Sequence, residues 1–108
     1  MRHAVREPYK IFFETLGNKT RWDIVHLLQR GPHRATKIAK TLGYEQSLVS
    51  HHLKRLETCG FVSFRQNGNE HMYDLNKKTI RPLLALMDGH INRFCKHCTG
   101  KRRVKTEC

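Results

Sequence analysis

Residues Ala35 to Gly60, ATKIAKTLGYEQSLVSHHLKRLETCG, decide the fold. Ala35, Ile38, Ala39 and Leu42 recur three and four residues apart, which makes one apolar stripe on a helix. Gly43 follows where a left-handed residue usually stops a helix, because glycine has no Cβ to clash. Beyond that turn Val49, Leu53 and Leu56 repeat at i, i+4 and i+7 and give a second helix its buried side. Gln46, Ser47, Ser50, His51 and Lys54 occupy other sides, where each can hydrogen-bond a phosphate or a base edge. Gly60 closes this second helix. The spacing reads as a helix-turn-helix.

The flanks agree with it. Downstream, Phe61–Gln66 and His71–Leu75 are runs of bulky residues around Asn67-Gly68, a pair tolerant of the positive φ that a tight hairpin requires. A hairpin directly after such a helix is a wing, with Arg65 and His71 on its strands and Gln66, Asn67 and Asn69 near its tip. Upstream, Asn18 is a good N-cap for a helix over 19–30, striped by Ile24, Leu27 and Leu28 and stopped by Gly31-Pro32. An earlier helix over 8–16 places Pro8 in its first turn, where the missing N–H is not needed. Tyr9, Ile11, Phe12, Phe13 and Leu16 make that helix apolar on more than one face. A last helix, capped by Asn76 or Thr79 and reaching about Lys96, carries Ile80, Leu83, Leu84, Met87, Ile91 and Phe94 at helical spacing. It follows a unit that is already complete, so its stripe needs another surface. A second copy of the chain is the simplest one, with Ile11, Phe12, Leu83, Met87, Ile91 and Phe94 at the interface. The expected organisation is a flexible start over 1–7, one domain over 8–98 and a basic, cysteine-ended tail over 99–108.

Composition narrows the function. At 108 residues the chain is expected to form one domain. Its 21 Lys and Arg against nine Asp and Glu give a net charge of +12. Such an excess costs self-repulsion and suits an anionic partner, double-stranded nucleic acid first. An anionic membrane comes second and is not expected, since no strongly basic amphipathic helix has a bulky apolar face for the interface, and no apolar run approaches the roughly 20 residues of a span. The start, MRHAVREPYK, lacks an apolar signal core, so a cytoplasmic location is expected. Four cysteines there read as thiols or metal ligands rather than structural disulfides. No nucleophile–base pair, acidic dyad or glycine-rich phosphate loop stands out, so an enzyme is not expected.

Two stretches carry a family resemblance. Leu16-Gly17-Asn18-Lys19-Thr20-Arg21-Trp22-Asp23-Ile24 is similar to the entry into the second helix of the ArsR-like winged-helix repressors. The run from Ser47 to Val62, SLVSHHLKRLETCGFV, resembles that family's recognition helix and its exit into the wing. The resemblance covers roughly residues 9–95. It implies an α+β, mainly helical winged helix-turn-helix with a C-terminal dimerisation helix. It also implies a homodimer that represses transcription from a pseudo-palindromic operator, often released by a metal or another effector. Many metal-responsive members carry Cys-x-Cys at the start of the helix before the turn, whereas Pro32-His33-Arg34-Ala35-Thr36-Lys37 has no thiol. Asp88-Gly89-His90 matches the first half of another familiar site, but Lys101 and Val104 do not match its second half.

The expected DNA contacts follow from residue type. Ser47 suits a phosphate at the helix start, and Gln46, Ser50 and His51 suit base edges. Lys54, Arg55 and Arg65 suit phosphates, with Asn67 at the wing tip. His52, next to Leu53, is expected to face the scaffold, and Cys59 to be a small buried residue. Cys95 and Cys98 form a Cys-x-x-Cys pair with His97 inside it, His90 before it and Cys108 after it. These side chains suit zinc or another thiophilic metal, a reversible disulfide, or no role beyond incidental thiols. The leading expectation is a sequence-specific dimeric DNA-binding regulator, possible switching by metal or redox state included. The alternatives are a non-specific architectural DNA binder and a thiol-rich metal-handling protein.

Overall fold

Asn18 starts the second helix in the way its residue type favours. Its backbone is extended, and its side-chain oxygen accepts the Arg21 N–H at 3.0 Å, satisfying one of the donors a helix start leaves open. The computed structural model describes the backbone of residues 2–99, and side chains there except those of residues 2–6, 67, 98 and 99. In chain order the elements are α1 (Arg2–Leu16), α2 (Lys19–Leu28), β1 (His33–Arg34), α3 (Ala35–Leu42), α4 (Gln46–Thr58), β2 (Val62–Asn67), β3 (Glu70–Leu75), α5 (Ile80–Phe94) and α6 (Lys96–Thr99). The chain divides after Asn76 into two compact units. No helix among the described residues is long and apolar enough to cross a membrane.

In the first unit the predicted stripes become the core. Ile24, Val25 and Leu28 of α2, Ile38 of α3, and Val49, Leu53 and Leu56 of α4 are fully buried, with Phe61 beyond them. Each such side chain contributes about 1.5–3 kcal/mol relative to exposure. Gly43 stops α3 with φ 78°, and its N–H reaches the Ala39 carbonyl at 2.9 Å. An L side chain is strained in that left-handed conformation. Tyr44 then folds back over α2 and donates its hydroxyl to Asp23 Oδ2 at 2.6 Å, while Lys19 Nζ lies 3.0 Å from the same oxygen. The Tyr44 hydrogen bond is the main reason the Asp23 carboxyl is held below its ordinary value, with Lys19 adding to it against the opposing effect of burial. This clamp fixes the turn between α3 and α4.

The wing is a three-stranded antiparallel sheet in the order β1-β3-β2. Phe64 pairs with Tyr73 and Asn67 with Glu70, while His33 and Arg34 pair with Tyr73 and Met72. Strand β1 was not anticipated from the sequence, because two residues have no periodicity and their pairing is set by tertiary contact. The turn also lies one residue later than Asn67-Gly68. Asn67 closes β2, and Gly68 alone of the Gly68-Asn69 pair takes positive φ, at 74°, as in a type II′ turn.

Two boundaries differ near the ends. Residues 2–7 of the expected flexible start over 1–7 are the opening of α1, which begins at Arg2 and carries Pro8 in its interior. A proline there forfeits one ladder hydrogen bond without ending the helix. In the second unit α5 places Pro82 in its first turn, as expected, but stops before Lys96. The backbone breaks at Cys95, with φ −87° and ψ 96°, and resumes as α6. Residues 100–108 of the expected tail lie outside the described residues.

Candidate nucleic-acid interface

Helix α4 carries two opposed faces. Gln46, Ser47, Ser50, His51 and Lys54 are exposed, opposite the buried Val49, Leu53 and Leu56. Glu45 is the N-cap, and its side chain makes no capping hydrogen bond. The first N–H groups of α4 are thus available to an anion at the positive end of the helix dipole. Ser47 stands in that first turn. The exposed face offers hydroxyl, imidazole, amide and ammonium groups, the chemistry that reads base edges and holds phosphates.

Beside this face lies a cleft of about 370 Å³. Gln46 and Ser50 line it from α4, Arg34 and Thr36 from the start of α3, and Asn69, Glu70 and His71 from the wing. Arg34 Nη1, on strand β1, forms an ion pair with Glu70 Oε2 on the adjacent strand β3. On the strands Phe64 lies 4.8 Å from the His71 ring and 5.7 Å from the Tyr73 ring, measured between centroids. Burial, and then the nearby Glu57 carboxylate, raise the Tyr73 hydroxyl above its usual value. Arg65 is exposed on the opposite face of the strand from Phe64. Asn67 is placed at the end of β2, and its side chain is outside the described ones.

Arg55, expected at a phosphate, is tied to the scaffold through its Nε. It is half-buried, and its Nε donates to Thr15 Oγ1 at 3.1 Å. It therefore points back at α1 rather than outward with Lys54. Thr15, fully buried, gives its one hydroxyl proton to the Ile11 carbonyl at 2.8 Å. Its oxygen is left to accept from Arg55, and from the Cys59 thiol 3.5 Å away. Cys59 is half-buried rather than enclosed.

Arg21 completes this joint. Its Nε donates to the Thr15 carbonyl at 2.7 Å, its Nη2 to the Glu14 carbonyl at 3.3 Å, and its Nη1 lies 3.1 Å from His52 Nδ1. A guanidinium has no acceptor, so Nδ1 must be unprotonated and His52 neutral. Burial, then Arg21 and His51, hold His52 below the ordinary imidazole value. Burial, then Arg55, likewise weigh against charge on Arg21. His52 thus faces the scaffold, as expected. No sequence signal pointed to this joint, because His52 and Arg55 lie 31 and 40 residues from Arg21 and Thr15.

The apolar surfaces divide between the two units. On α1, Ile11 is exposed, while Phe12 stacks on Phe61 with centroids 4.9 Å apart and so spends much of its surface inside its own protomer. Tyr9 and Phe13, at 66% and 65% exposure, present more surface than either. On α5, Ile80 and Leu84 are buried, Leu83, Met87 and Ile91 are half-buried, and Leu86 and Phe94 stay open at 72% and 67%. Leu86 was not among the expected interface residues.

Among the described residues no three His, Cys, Asp or Glu side chains converge as metal ligands. His90 packs its ring 5.4 Å from Phe94, and His97 is exposed on α6. The side chain of Cys98, and all of Cys108, lie outside the described residues. Cys95 and His97 do not make a metal site on their own.

A recognition helix with an exposed polar face, a preceding helix clamped to it by a glycine turn, and a wing define a winged helix-turn-helix DNA-binding protein. A family model for bacterial regulatory proteins of the arsR family matches residues 18–63. The arsenical resistance operon repressor of Staphylococcus xylosus is 32% identical over 88% of this chain and 90% of its own length. The probable mercury resistance operon repressor of Streptomyces lividans is 31% identical over 69% of this chain and 60% of its own. The homodimeric winged helix-turn-helix DNA-binding domain of a Mycobacterium bovis protein shares the fold, with TM-score 0.78, 24% identity and 89% of each chain covered. The chain belongs to the ArsR family of transcriptional regulators.

Proposed function

We propose that the chain is a dimeric repressor that reads a pseudo-palindromic operator with one α4 per half-site. The observation that carries this reading is the exposed row of Ser47, Ser50, His51 and Lys54 opposite a fully buried apolar face. Gln46 and Ser50 address base edges with His51, and Lys54 and Arg65 address phosphates, with Asn67 at the wing tip. Exposed Ile11, Tyr9 and Phe13 on α1, and Leu86 and Phe94 on α5, are surfaces for a second copy. Two recognition helices then meet successive major grooves about 34 Å apart. The protein acts in the cytoplasm, on duplex DNA, as a binder rather than a catalyst.

The test is selection from a random duplex pool. Enrichment of a two-half-site sequence bound at least about a thousandfold more tightly than random DNA supports the reading. Equal affinity for both rejects it in favour of architectural binding through the +12 charge. A solution mass of two 12.8 kDa chains supports the dimer, and a single-chain mass in the DNA-bound state rejects it.

A second element of the reading is a thiol effector site at the junction of α5 and α6. The observation favouring it is that α5 breaks at Cys95, which puts the Cys95-x-x-Cys98 pair across a helix junction. His90, His97 and Cys108 are the remaining candidate ligands. Equal zinc binding by the native protein and by a Cys95→Ser, Cys98→Ser variant rejects a metal role.

A further inference from the structure

We infer that the cleft between α4 and the wing seats one strand of the DNA backbone, with Arg34 as its phosphate-binding cation and Glu70 as the residue that holds and attenuates Arg34. The inference rests on the proposed placement of α4 in the major groove. Three observations converge on it. The cleft, of about 370 Å³, opens beside Gln46 and Ser50, two of the side chains assigned to base edges. A backbone strand flanking those bases must run past this opening. The lining is also rich in donors, since Arg34, Thr36, Gln46, Ser50, Asn69 and His71 all carry groups that can donate to phosphate oxygens.

The third observation is the charge arrangement. Among the described residues Glu70 is the only acidic one lining the cleft, and it is ion-paired with Arg34. Both side chains keep about half of their surface in water, at 46% and 50% exposure, so the pair is weak and exchangeable. A phosphate entering the cleft offers Arg34 a bidentate anionic partner of the kind a guanidinium favours. Arg34 immediately precedes α3 and pairs with Met72 of β3 through its backbone. Its guanidinium thus exchanges one anion for another while the backbone stays fixed. Together Arg34 and Glu70 bring no net charge to the DNA.

The experiment measures affinity for the selected operator and for random duplex between 50 and 200 mM salt. It compares the native protein with Arg34→Gln, Glu70→Gln and Glu14→Gln. The last removes one negative charge from α1, away from the cleft. Arg34→Gln is expected to flatten the log–log salt slope by about 0.9, and Glu70→Gln to steepen it by about 0.9. The latter corresponds to a further loss of about 3.5-fold across that salt range. At low salt Glu70→Gln is expected to bind about two- to fivefold more tightly, the range of an exposed ion pair. Glu14→Gln is expected to keep the native slope. A purely structural role for the pair would change affinity without moving the slope. A native slope for Arg34→Gln, or a shift in Glu14→Gln equal to that in Glu70→Gln, overturns the inference. A native protein that does not discriminate operator from random DNA overturns the underlying reading instead, so the two failures are distinguishable.

Discussion

His51 and His52 are adjacent residues of one type on one helix, and they have opposite surroundings. His51 is exposed among Ser47, Ser50 and Lys54, while His52 is buried and accepts a hydrogen bond from Arg21. Lys54 and Arg55 repeat the contrast, one open to solvent and the other bonded to Thr15. A step of about 100° around the helix axis produces the difference. On α4, therefore, residue type alone does not assign a DNA contact, and the direction of the side chain decides. The inward polar groups tie the recognition helix to α1 and α2, and the outward ones are free to meet a duplex.

The two faces should separate cleanly under mutation. The largest effect is expected at the apolar part of the inward face, where Leu53→Ala should cost about 2–5 kcal/mol in denaturant unfolding. A loss under about 0.5 kcal/mol would mean that α4 is not anchored by that stripe. Arg55→Gln should cost about 1 kcal/mol through its lost bond to Thr15, with an unchanged salt slope of DNA binding. Lys54→Gln should do the reverse, leaving stability within about 0.5 kcal/mol and flattening that slope by about 0.9. Identical behaviour of the two variants would erase the distinction between the faces.

Acid sharpens the same comparison. His52 is held below its ordinary value in the folded protein, so the unfolded chain binds its proton at a higher pH than the folded one does. Stability linked to His52 is present above the unfolded value of about 6.5 and is lost as pH falls below it. His52→Gln, which retains a side-chain acceptor for Arg21, should flatten this part of the pH–stability curve. An unchanged curve would show that His52 is not the group responsible. Away from α4, Tyr44→Phe should cost about 0.5–1.5 kcal/mol by removing the hydrogen bond to Asp23. Depression of the Asp23 carboxyl makes its contribution present above its unfolded value, near 3.8, and lost as pH falls further.

Much of this was legible in the sequence, for physical reasons. Asn18, Gly43 and Gly60 mark helix ends through local backbone chemistry, and the Val49–Leu53–Leu56 spacing fixes which side of α4 is buried. His52 was placed correctly because it precedes Leu53 on that side. The Arg55–Thr15 bond was not legible, since a long side chain at the flank of a stripe can turn either way, and Thr15 lies 40 residues earlier. The Phe12–Phe61 stack was not legible, because nothing near Phe12 in the chain announces the Phe61 ring. Strand β1 and the Arg34–Glu70 pair are likewise tertiary events, the pair joining residues 36 apart. The start of α1 was misplaced because Pro8 suits a first turn better than a helix interior.

The most direct test of the central claim uses the two histidines as each other's control. The ring signals of His51 and His52 are followed by NMR as the selected operator is added. The account predicts a large change at His51 on operator binding and a small one at His52, which keeps Arg21 as its partner. A larger change at His52 than at His51, or none at either in a saturated complex, would contradict the placement of this face in the groove.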